Sequence, residues 1–169
     1  LFKYSGAETD GNFNFENATG SAFLDTLLGD SGSNVLTGLS GNDFLEGRGG
    51  ADTLIGLGGN DTYVVNAADF GTVVIQEAAG QGTADTLNLV GNANFNLKTN
   101  SGAADIEKIT VDSTFASSVT GNGVGQTIDA SAVTVATQNV TLNGNGGADT
   151  LIKFFLIVHI ANIYFGQIT

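Results

Sequence analysis

The chain has 169 residues, 41% of them hydrophobic, and a formal net charge of −12 at pH 7. This acidity argues against nucleic acid and anionic membrane surfaces as partners, because both repel a negatively charged protein. Cysteine is absent, which excludes a disulfide framework. The hydrophobic content is sufficient for a packed core, so a simply disordered chain is not expected.

The first segment, residues 1–19, alternates apolar and polar side chains around Phe13 and Phe15. This pattern predicts a β-strand that covers the open N-terminal end of the structure that follows. The chain begins at Leu1 without a cationic leader, so we expect no cleavable signal here and a piece of a larger protein.

Residues 20–64 repeat with a period of nine. The repeats begin with glycine, at Gly20, Gly29, Gly38, Gly47 and Gly56. An acid or amide follows five residues later, at Asp25, Asn34, Asp43, Asp52 and Asp61. An apolar or aromatic side chain comes two residues after that, at Leu27, Leu36, Leu45, Leu54 and Tyr63. Each nonapeptide therefore predicts a glycine-rich turn followed by a three-residue strand with one inward side chain.

Strands this short are stable only when successive copies stack and bury a continuous apolar strip. Two nonapeptides form one coil, so residues 18 apart should lie above one another, about 4.8 Å apart. One edge then carries Asp25, Asp43 and Asp61, and the other carries Asn34 and Asp52. Carboxylates at that spacing repel by roughly 3 kcal/mol per pair at an effective dielectric near 20, which predicts a cation between the layers.

The ligands available in this array are carboxylate oxygens and turn carbonyls. The chain has no cysteine, and its single histidine, His159, lies outside the array. A flexible, all-oxygen ligand set suits Ca²⁺ better than Zn²⁺ or a transition metal. Mg²⁺ fits less well because it demands tighter octahedral geometry and retains its waters.

Three copies carry a family resemblance: GLSGNDFLE (38–46), GRGGADTLI (47–55) and GLGGNDTYV (56–64). They resemble the calcium-binding nonapeptide of the repeats-in-toxin (RTX) family, and weaker copies stand at 29–37 and 20–28. The resemblance implies an all-β fold, a right-handed parallel β-roll (β-solenoid) with additional irregular β segments, and Ca²⁺ held in the turns. It implies carboxylate ligands at Asp25, Asp43, Asp52 and Asp61, an amide oxygen at Asn34, and turn carbonyls at Gly38, Ser40, Gly47, Gly49, Gly56 and Gly58.

The regular period ends after Tyr63, and residues 65–120 predict a β-rich connecting segment. Residues 62–90 contain two β-rich runs, 62–65 and 72–76, and the clearest strand of residues 91–120 is 106–111. Asp85 stands in a repeat-like context with altered glycine spacing, so we expect it to contribute no full calcium site.

Residues 121–152 resemble a degraded or incipient second roll. The stretch GNGGADTLI at 144–152 is close to a regular repeat, but Ser131 stands eighteen residues before Asp149. Since Ser131 is a poor ligand, we expect Asp149 to supply half a site at most.

The tail, residues 153–169, is apolar and nearly free of glycine. Three interpretations remain open: a strand or helix that closes the roll, a terminus of artefactual origin, and a membrane segment. The run is shorter than the ~20 apolar residues of a membrane span and contains His159 and Asn162.

No catalytic constellation is evident in the sequence. It has no HExxH motif, and His159 stands alone within an apolar run. We therefore predict a non-enzymatic calcium-binding module of a secreted, extracellular protein, folding at the millimolar calcium found outside cells. The alternatives are a rigid spacer in a surface-layer protein or adhesin, and an accessory module of a secreted hydrolase or toxin. In these alternatives the cell-surface or catalytic partner domain would lie in the same parent chain.

Overall fold

The computed structural model describes residues 16–69, 71–77, 80–91, 93–97, 105–112, 118–133 and 140–153. In these ranges the chain is nearly all parallel β-structure and folds as a β-solenoid of about five turns, which confirms the predicted fold class. A 3₁₀ turn spans Ala67–Asp69. No helix within the described ranges is long and apolar enough to cross a membrane. Residues 1–15 of the N-terminal segment, and residues 154–169 of the tail with His159, lie outside the described residues.

Three parallel sheets form the walls of the solenoid. Sheet 1 contains, in spatial order, β1 (Asn17–Thr19), β3 (Val35–Ser40), β5 (Thr53–Gly58) and β7 (Val74–Gln76). Sheet 2 contains β2 (Thr26–Leu28), β4 (Phe44–Glu46), β6 (Thr62–Asn66), β8 (Thr86–Val90), β10 (Lys108–Val111), β12 (Thr127–Ala130) and β14 (Thr150–Lys153). Sheet 3 contains β9 (Phe95–Asn96), β11 (Ser118–Thr120) and β13 (Thr141–Asn143).

The register of the first coils follows the 18-residue repeat. In sheet 2, Leu27 pairs with Leu45, and Leu45 pairs with Tyr63. In sheet 1, Leu36 pairs with Leu54. All of these side chains except that of Leu27 are fully buried, so the single inward residue of each nonapeptide forms the continuous apolar strip that stacking requires.

Sheet 2 continues without interruption beyond the regular repeats. Tyr63 pairs with Leu87, Leu87 with Ile109, and Ile109 with Ile128. The coils here are longer than the regular coils of 18 residues. The paired residues Thr62 and Thr86 are 24 apart in sequence. The same sheet therefore passes through both of the ranges 65–120 and 121–152, with turns that absorb the extra residues.

Candidate metal centre

A row of polar side chains lies along one edge of sheet 2, because the residue before each strand occupies the same place in every coil. We call this row the first rail. It contains Asp25, Asp43, Asp61, Asp85, Glu107, Gln126 and Asp149. The Asp25 N–H donates to Asp43 Oδ1 at 2.8 Å, and the Asp43 N–H donates to Asp61 Oδ1 at 2.7 Å. The predicted stacking of residues 18 apart is thus confirmed on this edge.

The first rail extends further than the sequence predicted. The Asp61 N–H donates to Asp85 Oδ1 at 2.7 Å across 24 residues, and the Asp85 N–H donates to Glu107 Oε2 at 2.7 Å across 22. The Gln126 N–H donates to Asp149 Oδ1 at 3.0 Å. The expectation that Asp85 and Asp149 lack in-register partners is therefore wrong. The fixed 18-residue spacing fails because the later turns are longer.

A signal for this continuation exists in the sequence. The triplet Asp-Thr followed by Leu or Tyr marks the start of β2, β5, β6, β8 and β14. It occurs whether or not the preceding turn has regular length. The triplet therefore locates Asp85, where the glycine spacing is altered, but Asn34, Asp43, Glu107 and Gln126 lack it.

The second rail lies on the edge of sheet 1 and contains Asn34 and Asp52. The Asn34 N–H donates to Asp52 Oδ1 at 2.9 Å, which again confirms the 18-residue stacking. Val73 occupies the next position, directly before β7. A buried acid, Asp69, comes instead from the 3₁₀ turn, and its charge adds to burial in raising the pKa of Asp52.

The rail side chains differ in whether both of their oxygens are hydrogen-bonded. Four aspartates each use one oxygen to accept the backbone N–H described above, while the buried second oxygen accepts no hydrogen bond from the described part of the chain. These second oxygens belong to Asp43, Asp52, Asp61 and Asp85. A buried carboxylate oxygen without a partner is costly, so these atoms require a ligand.

The weaker copies fill the same position with a donor from their own turn. The Ser21 N–H donates to Asp25 Oδ2 at 2.6 Å, and the Asp30 N–H donates to Asn34 Oδ1 at 2.9 Å. The predicted ligands Asp25 and Asn34 are therefore placed on the rails, but Asp25 Oδ2 and Asn34 Oδ1 are already hydrogen-bonded within the turn.

Backbone conformation separates the two kinds of turn. In the three regular copies the residue after the first glycine adopts positive φ: 86° at Leu39, 66° at Arg48 and 70° at Leu57. For residues other than glycine, this conformation costs on the order of 1–3 kcal/mol each. Strain therefore accompanies the turns before Asp43, Asp52 and Asp61, three of the aspartates whose second oxygen has no donor, which is the pattern expected of a ligand-binding loop.

Glycine at the first position of each repeat keeps space open beside the rail oxygen of that repeat. A Cβ added to Gly20 would lie 2.6 Å from both Asp25 Oδ2 and the carbonyl oxygen of Gly38. Side-chain and carbonyl oxygens of adjacent coils thus converge on one point. At Gly29 the converging atoms are Asn34 Oδ1 and the carbonyl oxygen of Gly47.

The predicted carbonyl ligands take different positions in the turns. Those of Gly38 and Gly47 point into the gaps between coils. The Gly58 carbonyl accepts the Gly41 N–H at 2.8 Å. Ser40 is the last residue of β3, and Gly49 lies in a turn with a φ of 114°. Gly56 lies within β5, beside Asp61 Oδ2.

Burial of the rails has an electrostatic cost. Desolvation raises the pKa of Asp43 to about 6, and the charges of Asp61 and Asp25 add to the effect. Desolvation likewise raises the pKa of Asp61, and it raises that of Asp85 to about 6. The fold therefore disfavours the ionised carboxylates unless a cation lies beside them. All of the candidate metal ligands are oxygen atoms, which fits Ca²⁺.

A further acidic cluster lies where the regular repeats end. Carboxylate oxygens of Asp61, Glu77 and Asp85 lie within 4.8 Å of one another, and all three residues are buried. At that separation each ionised pair repels by about 3 kcal/mol or more at an effective dielectric near 20. Burial raises the pKa of Glu77 to about 8. Neither Glu77 nor Asp69 was predicted as a ligand from the sequence.

Comparison with known proteins agrees with this geometry. A family model described as RTX calcium-binding nonapeptide repeat (4 copies) matches residues 28–63 and 136–152. No curated protein and no solved structure matches the chain. RTX nonapeptide repeats bind Ca²⁺, and a β-roll built from them is a structural calcium-binding module rather than a catalytic one. The matched segments are thus similar to RTX calcium-binding nonapeptide repeats, and aspartates within them stack in a β-solenoid.

Proposed function

We propose that the chain is a calcium-dependent structural module in which ions between the coils complete the fold. The strongest ligands are the carboxylates of Asp43, Asp52 and Asp61. Carbonyl oxygens of the stacked turns complete the coordination. Asp25 and Asn34 contribute less, because turn N–H groups already donate to Asp25 Oδ2 and Asn34 Oδ1.

One observation carries this proposal. Asp43 Oδ2, Asp52 Oδ2 and Asp61 Oδ2 are buried, and no described group donates to them. A solenoid stabilised by hydrogen bonding alone would place donors there, as the turns at Asp25 and Asn34 do. Bound Ca²⁺ satisfies these oxygens and neutralises the charge along the rails.

Coupling of binding to folding follows from the same charges. Without a cation, the stacked carboxylates oppose the close approach of the coils. Sites of extracellular type bind calcium with Kd ~10⁻⁴–10⁻³ M, so the chain would fold only at extracellular calcium concentrations. RTX repeat proteins are typically secreted, which supports an extracellular location for this one.

Circular dichroism of the full chain tests the proposal. We expect little β-signal in EDTA and a cooperative gain on addition of millimolar CaCl₂. MgCl₂ at the same concentration should have a much smaller effect, because Mg²⁺ demands tighter geometry than the turns provide. An unchanged β-spectrum after chelation would contradict calcium-coupled folding.

A further inference from the structure

Glu77 occupies a position that glycine holds in the regular coils. In sheet 1, Thr37 pairs with Ile55 and Ile55 pairs with Gln76. One residue further along each strand, the column reads Gly38, Gly56 and Glu77. Where the regular repeats leave an open space, the first irregular coil therefore supplies a carboxylate.

The Glu77 side chain points into the gap between its own coil and the last regular repeat. A Cβ added to Gly56 would lie 2.7 Å from Glu77 Oε2 and would also overlap Asp61 Oδ2. The same glycine that opens space for Asp61 thus opens it for Glu77. Carboxylates from two successive coils converge there, with Asp85 as the third member of the cluster.

Each of these carboxylates has an oxygen without a partner. Asp61 Oδ2, Glu77 Oε1 and Asp85 Oδ2 are buried and accept no hydrogen bond from any described residue. Glu77 itself is 2% exposed. The described basic side chains do not neutralise the cluster, since the ion pair formed in this part of the chain joins Arg48 to Glu46.

Tyr63 supports the arrangement from the core. It holds the inward position that leucine occupies in the other regular copies, and its hydroxyl donates to Glu77 Oε2. A buried tyrosine hydroxyl requires such a partner. This hydrogen bond orients the Glu77 carboxylate and leaves Oε1 available to a ligand.

We propose that Asp61, Glu77 and Asp85 form a divalent-cation site of three carboxylates that joins the last nonapeptide to the irregular coil that follows. The site extends the proposed function and rests on it, because Asp61 is a ligand in the nonapeptide sites and in this site. It takes Ca²⁺, because its ligands are hard oxygens. Its three charges favour tighter binding than the gaps lined by carbonyls, since charge count sets calcium affinity. The ion therefore anchors β7 and β8 to the repeats.

Tyr63 allows this site to be observed directly. Bound Tb³⁺ replaces Ca²⁺ at oxygen sites, and its luminescence is excited through a tyrosine in close contact with a ligand. The chain contains no tryptophan, and Tyr4 and Tyr164 lie outside the described residues. Luminescence that is lost in Tyr63→Phe therefore reports an ion close to Tyr63, and its loss in Glu77→Gln assigns that ion to the site with Glu77.

The experiment uses the full chain with Glu77→Gln, Tyr63→Phe and the control Glu16→Gln, whose side chain is exposed. Glu77→Gln should lose the luminescence and bind one Ca²⁺ fewer by calorimetry. Tyr63→Phe should lose the luminescence, and Glu16→Gln should keep both the luminescence and the calcium count of the wild type. Circular dichroism at saturating calcium checks that each variant folds.

The outcomes separate this site from the nonapeptide sites. Glu77→Gln with wild-type luminescence and calcium count would overturn the proposal, as would a wild-type chain that binds calcium without Tyr63-dependent luminescence. A wild-type chain that binds no calcium would instead overturn the proposed function, and this site with it.

Discussion

Gly38 and Gly58 provide a matched test of the space beside the rail oxygens. A Cβ on Gly38 would overlap Asp43 Oδ2 and lie 2.9 Å from Asp43 Cγ, while a Cβ on Gly58 would have no neighbour closer than 3.7 Å. Neither glycine has a φ in the left-handed region, so alanine causes no backbone strain at either position. The two substitutions therefore differ mainly in whether the added methyl group displaces the Asp43 carboxylate.

The size of the effect follows from the overlap. Overpacking by one methyl group typically costs about 1–3 kcal/mol. If about three ions bind on folding, a cost of about 2 kcal/mol raises the calcium concentration at the folding midpoint about threefold. We expect Gly38→Ala to shift the midpoint by about twofold to fivefold, and Gly58→Ala to leave it nearly unchanged.

Calcium titration followed by circular dichroism measures both midpoints. A Gly38→Ala shift no larger than that of Gly58→Ala would mean that the space beside Gly38 does not serve calcium binding. A large shift in both variants would mean that the coils reject any added methyl group.

Two further predictions use the same titration. Asp43→Asn should raise the calcium midpoint more than Asp25→Asn, because Asp43 Oδ2 has no donor whereas Ser21 donates to Asp25 Oδ2. Equal shifts would contradict the distinction between free and hydrogen-bonded rail oxygens. In EDTA, the β-signal should increase as the pH falls from 7 to about 4. Desolvation raises the pKa of Asp43 and Asp85 to about 6, so the metal-free fold takes up protons as the pH falls through this range and gains stability. A metal-free β-signal that decreases on acidification would contradict this.

Much of the fold follows from sequence because the nonapeptides have constant length. Constant length fixes which residues stack, so the period of nine is sufficient to place Asp25, Asp43 and Asp61 on one edge. The apolar strip of Leu45, Leu54 and their equivalents follows from the same arithmetic.

The later coils could not be predicted in this way because their turns vary in length. Asp85 follows Asp61 by 24 residues and Glu107 follows Asp85 by 22, so a fixed period misses both. Glycine spacing also gives no indication that the side chains of Glu77 and Tyr63 meet. The position of Glu77 is defined only by the register of β7 with β5. Tyr63 in a leucine position was the available hint, since a buried hydroxyl implies a polar partner.

The sequence also could not show which rail oxygens accept a hydrogen bond from their own turn and which do not. Asp25 and Asp43 have the same place in the repeat, and the sequence predicts both as ligands. The conformation of the residue after the first glycine separates them, with positive φ at Leu39. Turn geometry, rather than the acid itself, thus decides which copies present an open oxygen.

Crystallography of the calcium-loaded full chain, with anomalous scattering to locate the ions, tests the central claim most directly. We expect calcium peaks about 2.3–2.6 Å from Asp43 Oδ2, Asp52 Oδ2 and Asp61 Oδ2, between stacked coils. Calcium found only at the surface, with these three oxygens accepting protein N–H groups instead, would contradict the account.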